Sequence, residues 1–428
     1  MTNSGRPMRA LAYADVDLNA IDGSAIWLQS MVTVLATAGC DVTVQLKAKI
    51  RSTLLVEPLL ALDSVRVIEP TEEALRRHDG RRVMTAAAAA TTLRQLDVDR
   101  PFDLIVIRGI RIARELAGRP EFRGRLWTYL TDLPQSADRL DPAARDALVA
   151  IVDSSRFMLC QTEDLRSFLE HVIPESVGKT FVVPPVVPRP PVLGARLPLD
   201  GRPIRLVYSG KFAPAWKTLE MTRLPARLAE RGLAAELHMI GDKVHNDPED
   251  PTYRERMVAA LETAPDVIWH GARSREDAMA LAGTADIGLG WRDRVLDASL
   301  ELSTKALEYG ALGLPVVLNR TPMHERLLGD DYPLFAANED DAVEAIVDAA
   351  RDHSVLAEAA RRAQAAAAGH TVGAAADVVS AWLERAFPAA LPSVSGERPL
   401  RIGVASHDLK FFTRILDHLE ALPNAEVR

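Results

Sequence analysis

A chain of 428 residues exceeds what one ordinary hydrophobic core supports, so two or more domains are expected. With 48% hydrophobic and 26% charged residues it has the balance of a globular protein. Its formal net charge of −8 argues against general nucleic-acid binding, which needs many cationic phosphate contacts. The opening "MTNSGRPMRALAYADVD" lacks the apolar core of a secretory leader, and no later stretch reaches about 18 uninterrupted apolar residues. No membrane span and a cytoplasmic location are therefore expected. Cys40 and Cys160 lie far apart in apolar, strand-like contexts and read as buried thiols.

Short apolar runs alternate with helical patterns along the chain, the rhythm of parallel sheets covered on both faces. In the first half the runs are "RALAYA" (9–14), "DVTVQL" (41–46), "SVRVI" (64–68), "DLIVIRG" (103–109), "LWTYL" (126–130), "FMLCQ" (157–161) and "TFVVP" (180–184). Helical patterns at 25–37, 84–96 and 142–152 separate several of them. The proline-rich "PPVVPRPPVLGARLPLDGRP" then blocks both helix and interior strand. The rhythm restarts with "IRLVYSG" (204–210), "AELHMIG" (235–241), "DVIWHG" (266–271), "ADIGLG" (285–290) and "LPVVLN" (314–319). The expected organisation is an α/β protein with a Rossmann-like domain at 8–187, a linker at 188–203 and a second Rossmann-like domain at 204–386. A further linker spans 387–398, and 399–428 reads as the start of another α/β domain. A lone strand and helix there has too little partner surface to be stable alone, so a longer polypeptide is expected. The alternative is that Leu400–Ala405 extends an existing sheet edge.

Two Rossmann-like halves place their default ligand site in the cleft at the carboxyl ends of their strands. "YSGKFAPAWKTLEM" follows the first strand of the second half. Gly210 permits a sharp turn there, and Lys211 and Lys217 flank the loop before a helix start. Two cations at that position suit a diphosphate, although two solvated lysines are the plainer alternative. In "ELSTKALEYGALGLPVV" a lysine, Lys305, stands in the first turn of a helix for which Ser303 is a plausible cap. The helix dipole disfavours a cation there, so either Lys305 is a surface partner of Glu308 or a ligand supplies the missing anion. Glu308 suits two hydroxyls, as a ribose offers.

Three stretches in order, "SGKFAPAWKTLE", "VIWHGARSREDAMALAGTADIGL" and "STKALEYGALGLPVVLNRTPMHERL", resemble the donor half of GT-B retaining glycosyltransferases of family four. The resemblance covers 204–328 and implies a GT-B fold, two Rossmann-like domains facing across a cleft. It implies that Lys211 and Lys217 bind the donor diphosphate, that His270–Gly271 lie near the base or sugar, and that Glu308 holds the ribose. It extends the donor site to Gly210, Gly241, Ser303, Thr304 and Lys305. The family's first glutamate should stand eight positions before Glu308. That residue is Leu300, with Glu301 beside it. Glu301 is therefore the candidate for the sugar contact.

In the first half the resemblance puts Asp22-Gly23-Ser24 where a glycine-rich loop approaches the donor, as a phosphate-contacting nest or as a plain capping turn. Asp132 in "LTDLP" and Arg108 at the end of "DLIVIRG" are the candidate acceptor residues, Asp132 with a catalytic role besides. The basic stretch 108–125 reads as solvated helix and loop, with an anionic acceptor or a membrane surface as the other reading. The expected function is a retaining, hexosyl-type transferase acting on a nucleotide sugar and a glycan, lipid or small-molecule acceptor, with no metal or other cofactor. A non-catalytic GT-B module binding a nucleotide sugar or glycan is the alternative. A sugar epimerase needs acid–base side chains that cannot be assembled from these motifs. A dinucleotide dehydrogenase is disfavoured because neither opening strand leads into G-x-G-x-x-G.

Overall fold

The computed structural model describes residues 6–78, 81–130, 133, 140–187, 201–245, 247, 249–387, 400–402 and 425–427. The first lobe runs β1 (Met8–Ala14), α1 (Gly23–Thr37), β2 (Cys40–Gln45), α2 (Glu57–Leu60), β3 (Val65–Ile68), β4 (Leu75–His78) and β5 (Arg81–Met84). It continues through α3 (Ala86–Asp99), β6 (Leu104–Arg108), α4 (Ile110–Ala117), β7 (Leu126–Tyr129), α5 (Pro142–Ser154), β8 (Ser155–Cys160), α6 (Glu163–Val172) and β9 (Thr180–Val182). Seven of these strands form one parallel sheet, ordered β3-β2-β1-β6-β7-β8-β9. The strands at its centre are apolar without alternation because helices cover both faces: Ala10 to Ala14 are at most 1% exposed. Cys40 and Cys160 are buried free thiols whose pKa burial pushes up to about 12.

The second lobe comprises β10 (Ile204–Ser209), α7 (Thr218–Met221), α8 (Leu224–Glu230), β11 (Ala235–Ile240), α9 (Tyr253–Thr263), β12 (Val267–Trp269), α10 (Arg275–Ala282) and β13 (Ile287–Leu289). After these come α11 (Thr304–Ala311), β14 (Val316–Val317), α12 (Pro322–Leu328), α13 (Glu339–Arg351) and α14 (His353–Ala367). Its five strands are parallel in the order β12-β11-β10-β13-β14. Both sheets reverse strand order beside their first strand, so each has a switch-point crevice at its carboxyl edge. The architecture is α/β with two Rossmann-like lobes. Among the described residues no helix is long and apolar enough to cross a membrane.

Two features differ from the sequence reading. The hairpin β4–β5, paired from Leu75↔Met84 to His78↔Arg81, was not expected, because arginines at 76, 77, 81 and 82 leave no apolar alternation. The last helix, α15 (Val372–Ala386), continues the helical rhythm of the second half but packs with the first. Its Ala375, Ala376, Val379 and Leu383 join the core under α1, and Trp382 stacks on Phe181 at 4.5 Å. The chain therefore crosses between lobes twice, and the crossings touch: Val187 N–H donates to His370 O at 2.8 Å, and the His370 ring lies 2.9 Å from Pro185 O. Near the end, Leu400–Ile402 pairs in parallel with Ala425–Val427 as a separate two-stranded sheet. The residues between them, and 188–200 of the first linker, lie outside the described residues.

Helices α11 and α14 approach so closely that a Cβ added at Gly310 would lie 2.2 Å from Ala363 O. Gly310→Ala is expected to cost about 1–3 kcal/mol through forced displacement of α11. A denaturation midpoint equal to that of the wild type would contradict the contact.

Candidate functional site

The two sheets turn their carboxyl edges toward one another around a cleft of ≈ 590 Å³. From the first lobe it is lined by Gly23, Ser24, Trp27, Arg108 and Tyr129. From the second come Gly210, Lys211, Gly241, Arg292, Glu301, Ser303, Thr304, Lys305 and Glu308. Most of the sequence-derived donor residues thus meet in one cavity.

The floor depends on a close approach of two loops. Gly210 has φ 144° and Gly241 has φ 137°, a backbone region that L side chains rarely adopt. A Cβ on Gly241 would also lie 2.2 Å from Gly210 O. The space at Gly210 is taken by Lys305, whose Nζ would be 3.1 Å from a Cβ there. That ammonium lies 5.2 Å from the Tyr208 ring centroid, and among the described residues no carboxylate is within ion-pair distance of it. Burial lowers its pKa to about 8; Glu308 opposes the shift, and the charges of Lys211 and Arg292 reinforce it. Lys211 lies over Trp216 at 4.0 Å from the ring centroid. Arg292 is held by its backbone, which exchanges hydrogen bonds of 2.8 and 2.9 Å with the Asn319 side-chain amide. Burial lowers its pKa too, against the pull of Asp297 and Glu301.

Helix α11 starts in this cavity. Ser303 stands at its cap but makes no side-chain capping bond, and the first turn holds no acidic residue. The i,i+3 partnership of Lys305 with Glu308 is not formed. Glu308, which lines the cleft, instead accepts from Arg275 Nη2 at 2.9 Å through one of its oxygens. Glu301 faces the first lobe, where Tyr129 Oη donates to it at 3.5 Å. Burial, then the charge of Glu301, raises the Tyr129 pKa, so this phenol stays protonated. The neighbouring Leu300 carbonyl accepts from Thr162 Oγ1 at 2.6 Å, and Leu302 N–H donates to Gln161 at 2.9 Å.

Several expectations are altered. Lys217 does not line the cleft: it pairs with Asp293 at 2.7 Å and Glu220 at 3.6 Å, and these carboxylates more than offset burial to raise its pKa. His270 and Gly271 do not line it either. The His270 ring stacks on His238, with 3.0 Å between their nitrogens, while Gly271 O accepts from Gly241 N–H at 2.9 Å. Their contribution is to support Gly241 rather than to touch the cavity. The N–H groups of Ser24 and Ala25 are occupied by Asp22, which caps α1 through both, so the plain capping turn is what forms. The other oxygen of Asp22 holds Lys243 across the cleft at 2.6 Å. Asp132 lies outside the described residues. Within the basic stretch, Arg125 is structural, in a two-point bridge to Asp97 at 2.8 Å.

Among the described residues no group of three or more His, Cys, Asp or Glu side chains is placed to hold a metal ion. Asp15 and Asp17, spaced like a metal-binding pair, are engaged by Lys47 at 2.8 Å and Arg51 at 3.1 Å.

Residues 226–379 match the family model of glycosyl transferase-like domains. No curated protein shows significant sequence similarity to the chain. Among solved structures, the sucrose-phosphate synthase of Thermosynechococcus elongatus superposes with a TM-score of 0.66 at 15% identity, covering 89% of this chain and 100% of that one. Anabaena Alr3699/HepE, solved with UDP, gives 0.63 at 14% identity, covering 88% and 100%. A glycosyltransferase from Rickettsia africae gives 0.61 at 11% identity, covering 89% and 99%. The chain has a GT-B fold, and residues 226–379 are similar to glycosyl transferase-like domains.

In this GT-B cleft two side chains escaped the sequence reading. Arg292 follows a strand end in "GLGWRDR", where a cation is a legible signal. Arg275 gives none, since it opens α10 like any helix residue. Besides Glu308 it reaches Ser30 Oγ at 3.1 Å and Val186 O at 3.1 Å, and so joins the second lobe to α1 and to the crossing segment. Removing one partner of this half-buried ion pair leaves the other uncompensated. Arg275→Ala is expected to weaken nucleotide binding about tenfold or more by calorimetry, with Ser30→Ala far milder. Equal effects of the two would show that Arg275 acts only between lobes.

Proposed function

We propose that the chain is a glycosyltransferase that moves a sugar, a hexose on our reading, from a nucleotide-diphosphate donor to an acceptor hydroxyl with retention at the anomeric carbon. The observation that carries this reading is the convergence of Lys211, Lys305, Arg292 and the uncapped start of α11 on one cleft at the strand ends. Three cations and a helix N-terminus whose first turn holds no acid suit a diphosphate. In this reading the donor's phosphates supply the anion missing beside Lys305, and Glu308 accepts ribose hydroxyls through its free oxygen. The acceptor oxygen bonds the anomeric carbon as the bond to the β-phosphate oxygen breaks, and the proton ends on the released diphosphate. The cations act on the charge that grows on that leaving group. Lys217, next to the cleft-lining Trp216, exchanges Asp293 for phosphate when donor binds. Glu301 faces the transferred sugar.

A non-catalytic donor-binding module is the second reading. It is favoured by Asp22 filling the N–H groups of the first-lobe loop and by Leu300 at the position of the family's first glutamate. Donor hydrolysis or transfer by the purified chain separates the two, since a binder shows affinity without turnover.

The test is a melting-temperature panel of UDP-, GDP-, ADP- and CDP-sugars on the wild type, Lys217→Ala and Lys305→Met. One nucleotide class is expected to raise the wild-type melting temperature, with little or no shift in either variant. NMR of the product then reads the anomeric configuration. Failure of every nucleotide sugar to stabilise the wild type would defeat the reading.

Lys305 also sets a pH dependence. Its ammonium carries a penalty in the folded, ligand-free protein that is fully present below about 8 and gone above the unfolded value of 10.5. Lys305→Met is therefore expected to melt a few degrees higher than the wild type at pH 7 without ligand. Because only the charged form pairs with phosphate, donor affinity should fall several-fold from pH 8 to 9 in the wild type and stay flat in the variant. A wild-type affinity independent of pH across that range would remove Lys305 from the phosphate site.

A further inference from the structure

Glu301 belongs to the second-lobe segment between β13 and α11, yet the first lobe holds the backbone on both sides of it. The chain bends at Glu301, and its neighbours are neither helix nor strand. They divide between the lobes. The Leu300 side chain packs on the first-lobe cluster of α5, β8 and α6, whereas Leu302 packs on the second-lobe core. In a regular strand two residues so spaced would share a face. Two side chains directly after β8 meet the bend. Thr162 Oγ1 donates to Leu300 O at 2.6 Å, and Gln161 Oε1 accepts from Leu302 N–H at 2.9 Å. Thr162 is itself fixed as the cap of α6, where its Oγ1 also accepts from Leu165 N–H at 3.1 Å. Gln161 follows Cys160, which pairs with Val182 of β9, and its side chain lines the donor cleft.

Neither clamping group carries a charge, so the backbone is held without neutralising or repelling the carboxylate between them. Close placement matters for a group that meets a reacting sugar, because a misplacement of about 1 Å can cost on the order of a hundredfold in rate. We propose that Gln161 and Thr162 are positioning residues for Glu301: the first lobe sets a second-lobe acid against the transferred sugar. Recognition of that sugar then requires the lobes to be together, and recognition of the nucleotide does not. Lys211, Lys305 and Glu308, the residues assigned to the nucleotide, all belong to the second lobe. Parting the lobes removes both hydrogen bonds and the seat of Leu300 at once. The open molecule then holds a donor with no acid set for its sugar, and closure completes the site. The proposal rests on the glycosyltransferase reading for the presence of a donor sugar.

Calorimetry on the full chain tests this by comparing the nucleotide sugar that raises the melting temperature with the matching nucleoside diphosphate. Gln161→Leu and Thr162→Val are each expected to weaken the nucleotide sugar about five- to tenfold and to leave the diphosphate within about twofold. Thr162→Ser, which keeps both the hydroxyl and the α6 cap, should match the wild type. Arg326→Ala severs the exposed Asp164 pair between the lobes without touching this segment, and should also change neither affinity. In a Glu301→Ala background Gln161→Leu should cost the nucleotide sugar nothing further, because the clamp acts through the acid. Unchanged nucleotide-sugar affinity in Gln161→Leu, equal losses for both ligands, or a loss that persists without Glu301 overturns the proposal and leaves the donor reading standing. If neither ligand binds the wild type, the donor reading fails and takes the proposal with it.

Discussion

An ammonium group held at the positive end of a helix, with no carboxylate among the described residues paired to it, is the constraint around which the cleft is arranged. Lys305 is kept in that position by packing rather than by charge. Gly210 and Gly241 let two strand-end loops close beneath it, and the Tyr208 ring lies 5.2 Å from its ammonium. Glu308, one turn along α11, is the natural neutraliser, and Arg275 holds it away. The result is a local electrostatic cost in the empty protein, the kind of strain that folds retain where a ligand later relieves it. Replacing any member changes the others. Without Arg275, Glu308 is released toward Lys305. With a side chain at Gly210, Lys305 loses its space.

The contacts between lobes have a different character. Lys243 meets Asp22, Arg275 meets Ser30, Thr162 meets the Leu300 carbonyl, Gln161 meets Leu302 N–H, and Arg326 meets Asp164. All are polar, so water can replace each partner when the lobes part. Apart from Leu300, which packs on the first-lobe cluster of α5, β8 and α6, the apolar continuity lies elsewhere, where α15 returns to α1 and the two crossing segments bond to each other. A covalent and apolar hinge on one side, with exchangeable polar contacts across the cleft, is the division that domain closure around a substrate requires.

Much of this was legible in the amino-acid sequence, for identifiable reasons. The strands of the two large parallel sheets appeared as short, mostly apolar runs, most clearly at the sheet centres where both faces are buried. Gly210, Lys211, Lys305 and Glu308 were legible because strand ends and helix starts fix where side chains go. What failed to show was of two kinds. The β4–β5 hairpin has no apolar alternation, and α15 carries the same pattern whichever lobe receives it, because amphipathicity states that a face is buried and not against what. The directions of Lys217 and His270 depended on partners distant in sequence, Asp293 and His238, which no local pattern reports.

The displaced acid shows how geometry differs from spacing. Counting back from Glu308 puts Leu300 where the resembling family has its first glutamate, and in a regular strand a shift of one residue would turn the acid to the opposite face. The segment before α11 is neither strand nor helix, so no period binds it. Thr162 holds the Leu300 carbonyl while the Leu300 side chain packs against the apolar cluster of α5, β8 and α6. Gln161 holds the N–H of Leu302, so the backbone is clamped on both sides of the residue between. Clamped in this way, Glu301 has the cleft as its open direction, and Tyr129 meets it there. The apolar residue went to the apolar cluster and the acid to the polar cavity, and two first-lobe side chains made that choice without the register that the motif prescribes.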